Sequence, residues 1–430
     1  MILSSLAIAA TKLHAAPTNW TGGVGSWFNA GNWDSGVPIS SQQAMIENGG
    51  TAQVFLPNAI SGHFLVRDGV LEIAQGGQLT SERGSLGGTT AGHVAVDGTG
   101  SLWRLTGLTN LETLRIGAFG EGALTISNGG KVEANGGFGV TIGYGSQGNG
   151  SATVTGSGSS LTTGYLDIGQ SSDSVASLTI ADGATVNSSS PTLAVFSESS
   201  GTVVVTGSNS TWQTYALVVG RLGQGSVTIA DGGLVSSSSA YIGQYGGKGT
   251  VLVTGEDSTW SLTNSLSVGA QGGGVLEINA GAQVEVGNTT YVASGPKGKV
   301  ALQDAMLTTR GLFASPANLH GQGTIYSQGI VGDLTLQFDA THGLQQTFHF
   351  NDVPDQDVTL HLDVTGNAAM GVGRAGEGSL TIADGAKVPS LGGYLGMEAG
   401  SHGVANVAGS GSEWNSPGLA SPSAITALAN

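Results

Sequence analysis

The sequence predicts an all-β protein: a parallel β-helix, or β-solenoid, wound from coils of about 24 residues. Three observations carry that prediction. A two-part unit recurs along the chain, with Ile180, Ile229 and Ile278 spaced 49 residues apart and Trp212 and Trp260 spaced 48 apart. A period of this size marks a stacked array, in which no unit buries its apolar face alone. Within each unit apolar residues alternate, as in Leu178-Thr179-Ile180 and Val251-Leu252-Val253-Thr254, which places one face of a strand inward. The 75 glycines, against 10 prolines, accompany Ser, Thr, Val and Ile in short runs, the composition of many short strands joined by tight turns.

The chain then divides in order. Residues 1–16 contain MILSSLAIAA followed by Lys12 and Ala15-Ala16, which reads as a secretory signal, a weak one because no basic residue precedes Lys12. Residues 17–66 carry a different motif, NWTGGVGSWFNAGNWDSGVP, and form the natural cap for the first coil. Residues 67–310 hold the repeat array. Its first half-repeat appears as GVLEIAQGGQL (Gly69–Leu79), GALTISNGGKV (Gly122–Val132) and SLTIADGATV (Ser177–Val186). Its second appears as GSATVTGSGSSL, GTVVVTGSNSTW and GTVLVTGEDSTW. Each half-repeat supplies three short strands and three corners, one coil, and 13–15 coils at ~4.8 Å make a rod on the order of 60–75 Å. The early spacing is longer, 53 residues from Ile73 to Ile126 and 54 from Ile126 to Ile180, so residues such as Thr106–Glu112 are expected to protrude as a corner loop. Residues 311–366 lose the rhythm and read as an irregular interruption. Residues 367–418 restore it for a final pair, and 419–430 form a Ser/Ala/Pro tail that reads as a truncation in mid-unit.

Charge and composition narrow the function. A net charge of −16 repels phosphate backbones and anionic lipid, which argues against nucleic acid and membrane-surface partners. No cysteine is present, so disulfides and thiolate metal sites are excluded. No run of about 18 apolar residues offers a membrane-spanning helix.

Three sets of residues carry possible chemistry. Trp103, Trp212, Trp260 and Trp414 share one slot of the second half-repeat, either as an aromatic face for sugar rings or as packing inside the coil. Leu161 holds that slot in one copy, which favours packing. Asp182, Asp231 and Asp384 of the IADG turns share a slot with Gln75, Asn128 and Ala280, a set that has turn chemistry in common but not ionisation. Segment 333–363 gathers Asp333, Asp339, His342, His349, Asp352, Asp355, Asp357, His361 and Asp363, types able to ligate metal or act as a carboxylate pair. Phe348-His349-Phe350 and Leu360-His361-Leu362-Asp363 alternate like strands, which puts His and Asp on a solvated face. Metal-ligand spacing such as His-x-x-x-His is missing. No catalytic, cofactor-binding or metal-ligating residue is therefore assigned, and no cofactor is expected.

The paired pattern LTI-x-x-GG-x-V, YIG-x-x-x-G-x-G, V-x-VTG-x-x-S-x-W and L-x-VG resembles the repeat of autotransporter (type V secretion) passengers. It is also similar to repeats of bacterial exported proteins that bear the PEP-CTERM type of sorting signal. Trp20 to Pro38 resembles the segment that precedes those repeats, and the likeness spans residues 20–418. The resemblance implies a right-handed parallel β-solenoid outside a Gram-negative cell, at the cell surface or extracellular, outer-membrane associated where a translocator exists. Neither a translocator barrel nor an anchor is visible in these residues. The expected function is a non-enzymatic exported adhesin or cell-envelope protein, with glycans or a host or neighbouring-cell surface as partners. The rivals are a polysaccharide-active β-helix enzyme, lyase or hydrolase, using acids of 333–363, and a remnant lacking its translocator. Thirteen basic residues dispersed along 430 positions argue against a lyase.

Overall fold

The structure, a computed structural model, describes residues 15–88, 90–107, 113–137, 139–417 and 419–420. The expected signal, apart from its last two residues, most of the Thr106–Glu112 loop and nearly all of the tail lie outside them. The described chain is nearly all β, 59% strand without α-helix, stacked in parallel coils as a β-solenoid of about 16 turns. That exceeds the 13–15 coils expected, because segments 17–66 and 311–366 also wind into the stack. At ~4.8 Å per coil the rod is about 75 Å long.

Each coil has three faces. The first carries seven-residue strands, among them Asn149–Thr155, Val175–Ala181, Ser200–Thr206, Gln224–Ala230 and Lys248–Thr254, which pair residue for residue without slip. The second carries Ser160–Thr163, Thr185–Asn187, Thr211–Gln213, Leu234–Ser237 and Thr259–Leu262. The third carries Tyr165–Ile168, Ser190–Leu193, Ala216–Val219, Ser239–Ile242 and Leu266–Val268. The alternation in sequence fixes which side chains point in: Ala176, Leu178 and Ile180 are buried while Ser177 and Thr179 between them face out. A fully buried Ile or Leu of this column contributes roughly 1.5–3 kcal/mol before chain entropy is counted.

The corner between first and second faces explains why the repeat has two halves. In the first half-repeat Gln75, Asn128, Asp182, Asp231, Ala280 and Asp384 all take φ between 52° and 55°, each followed by a glycine that is also left-handed. Asp and Asn tolerate that region because their short polar side chains bond locally, and Ala280 sits there without that help. Thr155 Oγ1 donates to Asp182 Oδ2 at 2.7 Å, and Thr206 Oγ1 to Asp231 Oδ2 at 2.9 Å, each reaching from the coil before. In the second half-repeat the corner ends in a serine, buried at Ser101, Ser159, Ser210 and Ser258 and half-buried at Ser412. Ser101, Ser159, Ser210, Ser258 and Ser412 each accept, through Oγ, the amide of the turn glycine one coil earlier, at 3.0–3.1 Å. One turn thus offers a donor and the next an acceptor, so coils alternate.

The N-terminal segment closes one end. Ala15–Asn19 and Val24–Ser26 pair in parallel with Gln42–Val54, and Trp20, Trp27 and Trp33 are buried over the first coil. Trp33 packs edge-on against Trp20 at 5.1 Å and Trp27 at 4.9 Å, and Phe64 carries the aromatic contact on to Trp103.

Segment 311–366 loses its rhythm to an inserted hairpin, while the stack continues. Gly298–Phe313, Leu319–Ser327 and Ile330–Gly332 keep the parallel winding. Gln356–Asp363 then pairs in parallel with Leu319–Ser327 on one edge and antiparallel with Gln345–Phe350 on the other. The third face runs straight past the insertion, from Ile330–Gly332 to Met370–Val372 to Gly393–Leu395. Residues 367–417 then wind the last described coils.

Candidate functional site

The shared tryptophan slot points into the core. Trp103, Trp212 and Trp260 are 0% exposed, so no ring face is open to a sugar, and Trp414 in the last coil is half-buried. Parallel register stacks Val186, Trp212, Val235, Trp260 and Val284 in one inward column, large against small. A buried indole N–H needs an acceptor. Each finds a serine one coil earlier: Trp103 to Ser81 at 2.9 Å, Trp212 to Ser188 at 3.0 Å, Trp260 to Ser237 at 3.2 Å and Trp414 to Ser390 at 3.0 Å. In the copy where Leu161 replaces Trp, the serine position two residues after Val132 holds Ala134. The sequence carried this signal, Val or Leu, any residue, then Ser one coil before each Trp.

The nine acids and histidines of 333–363 do not converge. Asp333 Oδ1 accepts the amides of Ala375 and Gly376, both at 2.8 Å, and so holds a corner. Asp339 accepts the His342 amide at 2.9 Å, its Nδ1 at 2.8 Å and the Thr341 amide at 2.8 Å; these donors hold its carboxyl well below the usual carboxylate range. Asp355 occupies a left-handed turn position, and Asp352 and Asp357 are exposed. His349 faces Thr359 across the hairpin. Among the described residues no group of three His, Asp or Glu side chains stands close enough to share a metal ion.

His361 and Asp363 do reach a common place. Gln345–Phe350 adds to the second face as an edge strand beyond Gln356–Asp363, and on the outer side of these paired strands lies a groove of about 670 Å³, lined by Thr308, Arg310, Tyr326, Gln345, His361 and Asp363 among others. That volume is in the range of small-molecule sites. Register sets Thr308, Tyr326, His361 and Thr347 in one outward row across four strands. The Tyr326 and His361 rings stack, centroids 5.0 Å apart and planes 22° apart. His361 Nδ1 lies 3.0 Å from Thr347 Oγ1, and Gln345 Nε2 donates to Asp363 Oδ1 at 3.2 Å. Arg310 is exposed and forms no ion pair among the described residues. Arg310 and Tyr326 are the groove residues that periodicity alone misses, because only the hairpin turns an ordinary outward strand position into a wall.

No protein-family model matches the chain, and no curated protein matches it either. No helix among the described residues is long and apolar enough to cross a membrane.

Proposed function

We propose that this chain is the passenger-like portion of an exported surface protein, a non-enzymatic β-solenoid of the autotransporter or PEP-CTERM-associated kind acting in adhesion or cell-envelope contact. The observation that carries the reading is the groove beside the hairpin: an open, mixed polar and aromatic recess on an otherwise regular rod. The repeated residues with chemical potential, the tryptophans, serines and turn aspartates, are engaged in holding coils together, which leaves the interruption as the place for contact. A rigid rod that presents such a recess suits binding in which weak contacts add up over many copies on a surface. The test is binding of the labelled protein to host and neighbouring bacterial cells, with Arg310→Ala expected to weaken it. Binding unaffected by every groove substitution removes the groove from the reading.

The polysaccharide-active alternative is disfavoured by one detail. Glycoside hydrolysis uses two carboxyl groups flanking the bond, whereas among the described residues Asp363 is the one carboxylate lining the groove and it is held by Gln345. A reducing-end assay over a polysaccharide panel is expected to show no turnover. Turnover abolished by Asp363→Asn or Asp352→Ala replaces adhesion with catalysis.

A further inference from the structure

Tyr326 stands between two unlike neighbours. On one side, in the next strand, His361 covers its ring; on the other, in the preceding strand, the row continues with Thr308, a short side chain. The ring therefore has one covered face and one open face that looks across a low floor, and the residue is 43% exposed. His361 is in turn tied to Thr347, so the pair is braced against rotation toward the floor. Around this slot stand groups with fixed planar geometry: the Arg310 guanidinium, the Gln345 amide and the Asp363 carboxylate. An aromatic face beside planar donors and acceptors matches the chemistry of a pyranose, which offers a flat patch of C–H groups and pairs of adjacent hydroxyls around its rim.

Two other occupants fit less well. A peptide added as a β-strand needs a free edge, but Leu319–Ser327 and Gln356–Asp363, the strands that carry Tyr326 and His361, are paired on both edges. A polyanion meets long-range repulsion from a chain of net charge −16, and locally Asp363 offsets Arg310. We propose that the groove is a saccharide subsite for an uncharged hexopyranose chain, with one ring stacked on the open face of Tyr326 over Thr308, and with Arg310, Gln345 and Asp363 bonding its hydroxyls. This deepens the binding reading above and rests on it.

The experiment titrates the full chain by calorimetry with neutral gluco-, manno- and galacto-oligosaccharides and with a uronate oligosaccharide, in parallel with a cell-binding assay. The expected result is saturable binding of a neutral series, weakened about tenfold or more by Tyr326→Ala, largely kept by Tyr326→Phe, and unchanged by Phe196→Ala, an exposed ring on another corner. Unchanged far-ultraviolet dichroism and melting of Tyr326→Ala, a surface change, keep the comparison free of misfolding. Preference for the uronate, or equal loss with Phe196→Ala, overturns the subsite as stated. Cell binding that depends on Tyr326 without any saccharide binding overturns the ligand class and leaves the adhesive groove standing. Absence of both overturns the subsite and the adhesive reading together.

Discussion

A buried indole N–H without an acceptor is a standing penalty, and the tryptophan column shows how each residue avoids it. Ser237 gives Trp260 its acceptor, and the coil before Leu161 carries Ala134 in the serine position because nothing there needs one. Ser237→Ala alone should destabilise the stack by about 1–3 kcal/mol, the range for a buried donor left unpaired. In a Trp260→Leu background the same change should be near neutral. A double-mutant cycle on urea midpoints measures the coupling, and equal effects in both backgrounds defeat the account. A second residue ties stability to pH. Burial, with Arg83, Arg115 and Arg67 nearby, pushes the His63 imidazole down to about 4. The unfolded chain takes up that proton near the ordinary histidine value of about 6.5, the folded chain only near 4, so the unfolded state binds more protons in between. Stability should therefore fall as pH drops from about 6.5 to 4, with a ceiling of about 3 kcal/mol from this group. His63→Gln should flatten that part of the stability profile, and an unchanged slope in urea unfolding at pH 7 and 4.5 counts against it.

At the level of the element, the corners matter more than the strands. Asp231 sits at φ 52° and its carboxylate receives Thr206 from the previous coil. Asp231→Val puts a β-branched residue in the left-handed region and removes the acceptor, so a loss of about 2 kcal/mol is expected, whereas Asp231→Asn should change little. Amide exchange at Gly232 and Gly255 should rise in the valine variant; protection equal to the parent contradicts the turn role. The turn slot was readable from the sequence because Asp, Asn, Gln and Ala share backbone behaviour but not charge. The serine staples were equally present in the repeats yet easy to pass over, since serine is also the commonplace turn residue. The groove was readable only in part. His361 and Asp363 stood out by composition, but their partners Tyr326 and Arg310 come from coils that register alone brings alongside. Register across an inserted antiparallel strand depends on which edge the hairpin takes, and local periodicity does not encode that choice.

For the whole molecule, the alternation of coils makes a prediction about length. The stack is held by neighbour contacts, so its stability behaves as a sum over interfaces and each interface joins unlike halves. Deleting Ala184–Gly232, 49 residues and two coils, joins Gly183 to Gly233. Val235 then succeeds Leu161 in the column as Val186 did, Ser258 receives the Gly183 amide as Ser210 did, and every staple is remade. The product should fold, melt cooperatively near the parent and be shorter by about 10 Å, two coils at ~4.8 Å each. Deleting the single coil Gly207–Ala230 instead, 24 residues, joins Thr206 to Asp231 and removes Ser210 and Trp212 together. That leaves the Gly183 amide without its acceptor and sets Val186 against Val235 with the volume of an indole unfilled between columns. This shorter deletion, although it removes less, should melt at a clearly lower temperature than the 49-residue one. Small-angle scattering gives the lengths and calorimetry the melting order. A single-coil deletion as stable as the pair deletion would mean that coils are interchangeable and that the 49-residue period has no physical unit beneath it. Should the order hold, rod length is adjustable in steps of two coils without touching the groove, and reach becomes a property separable from recognition.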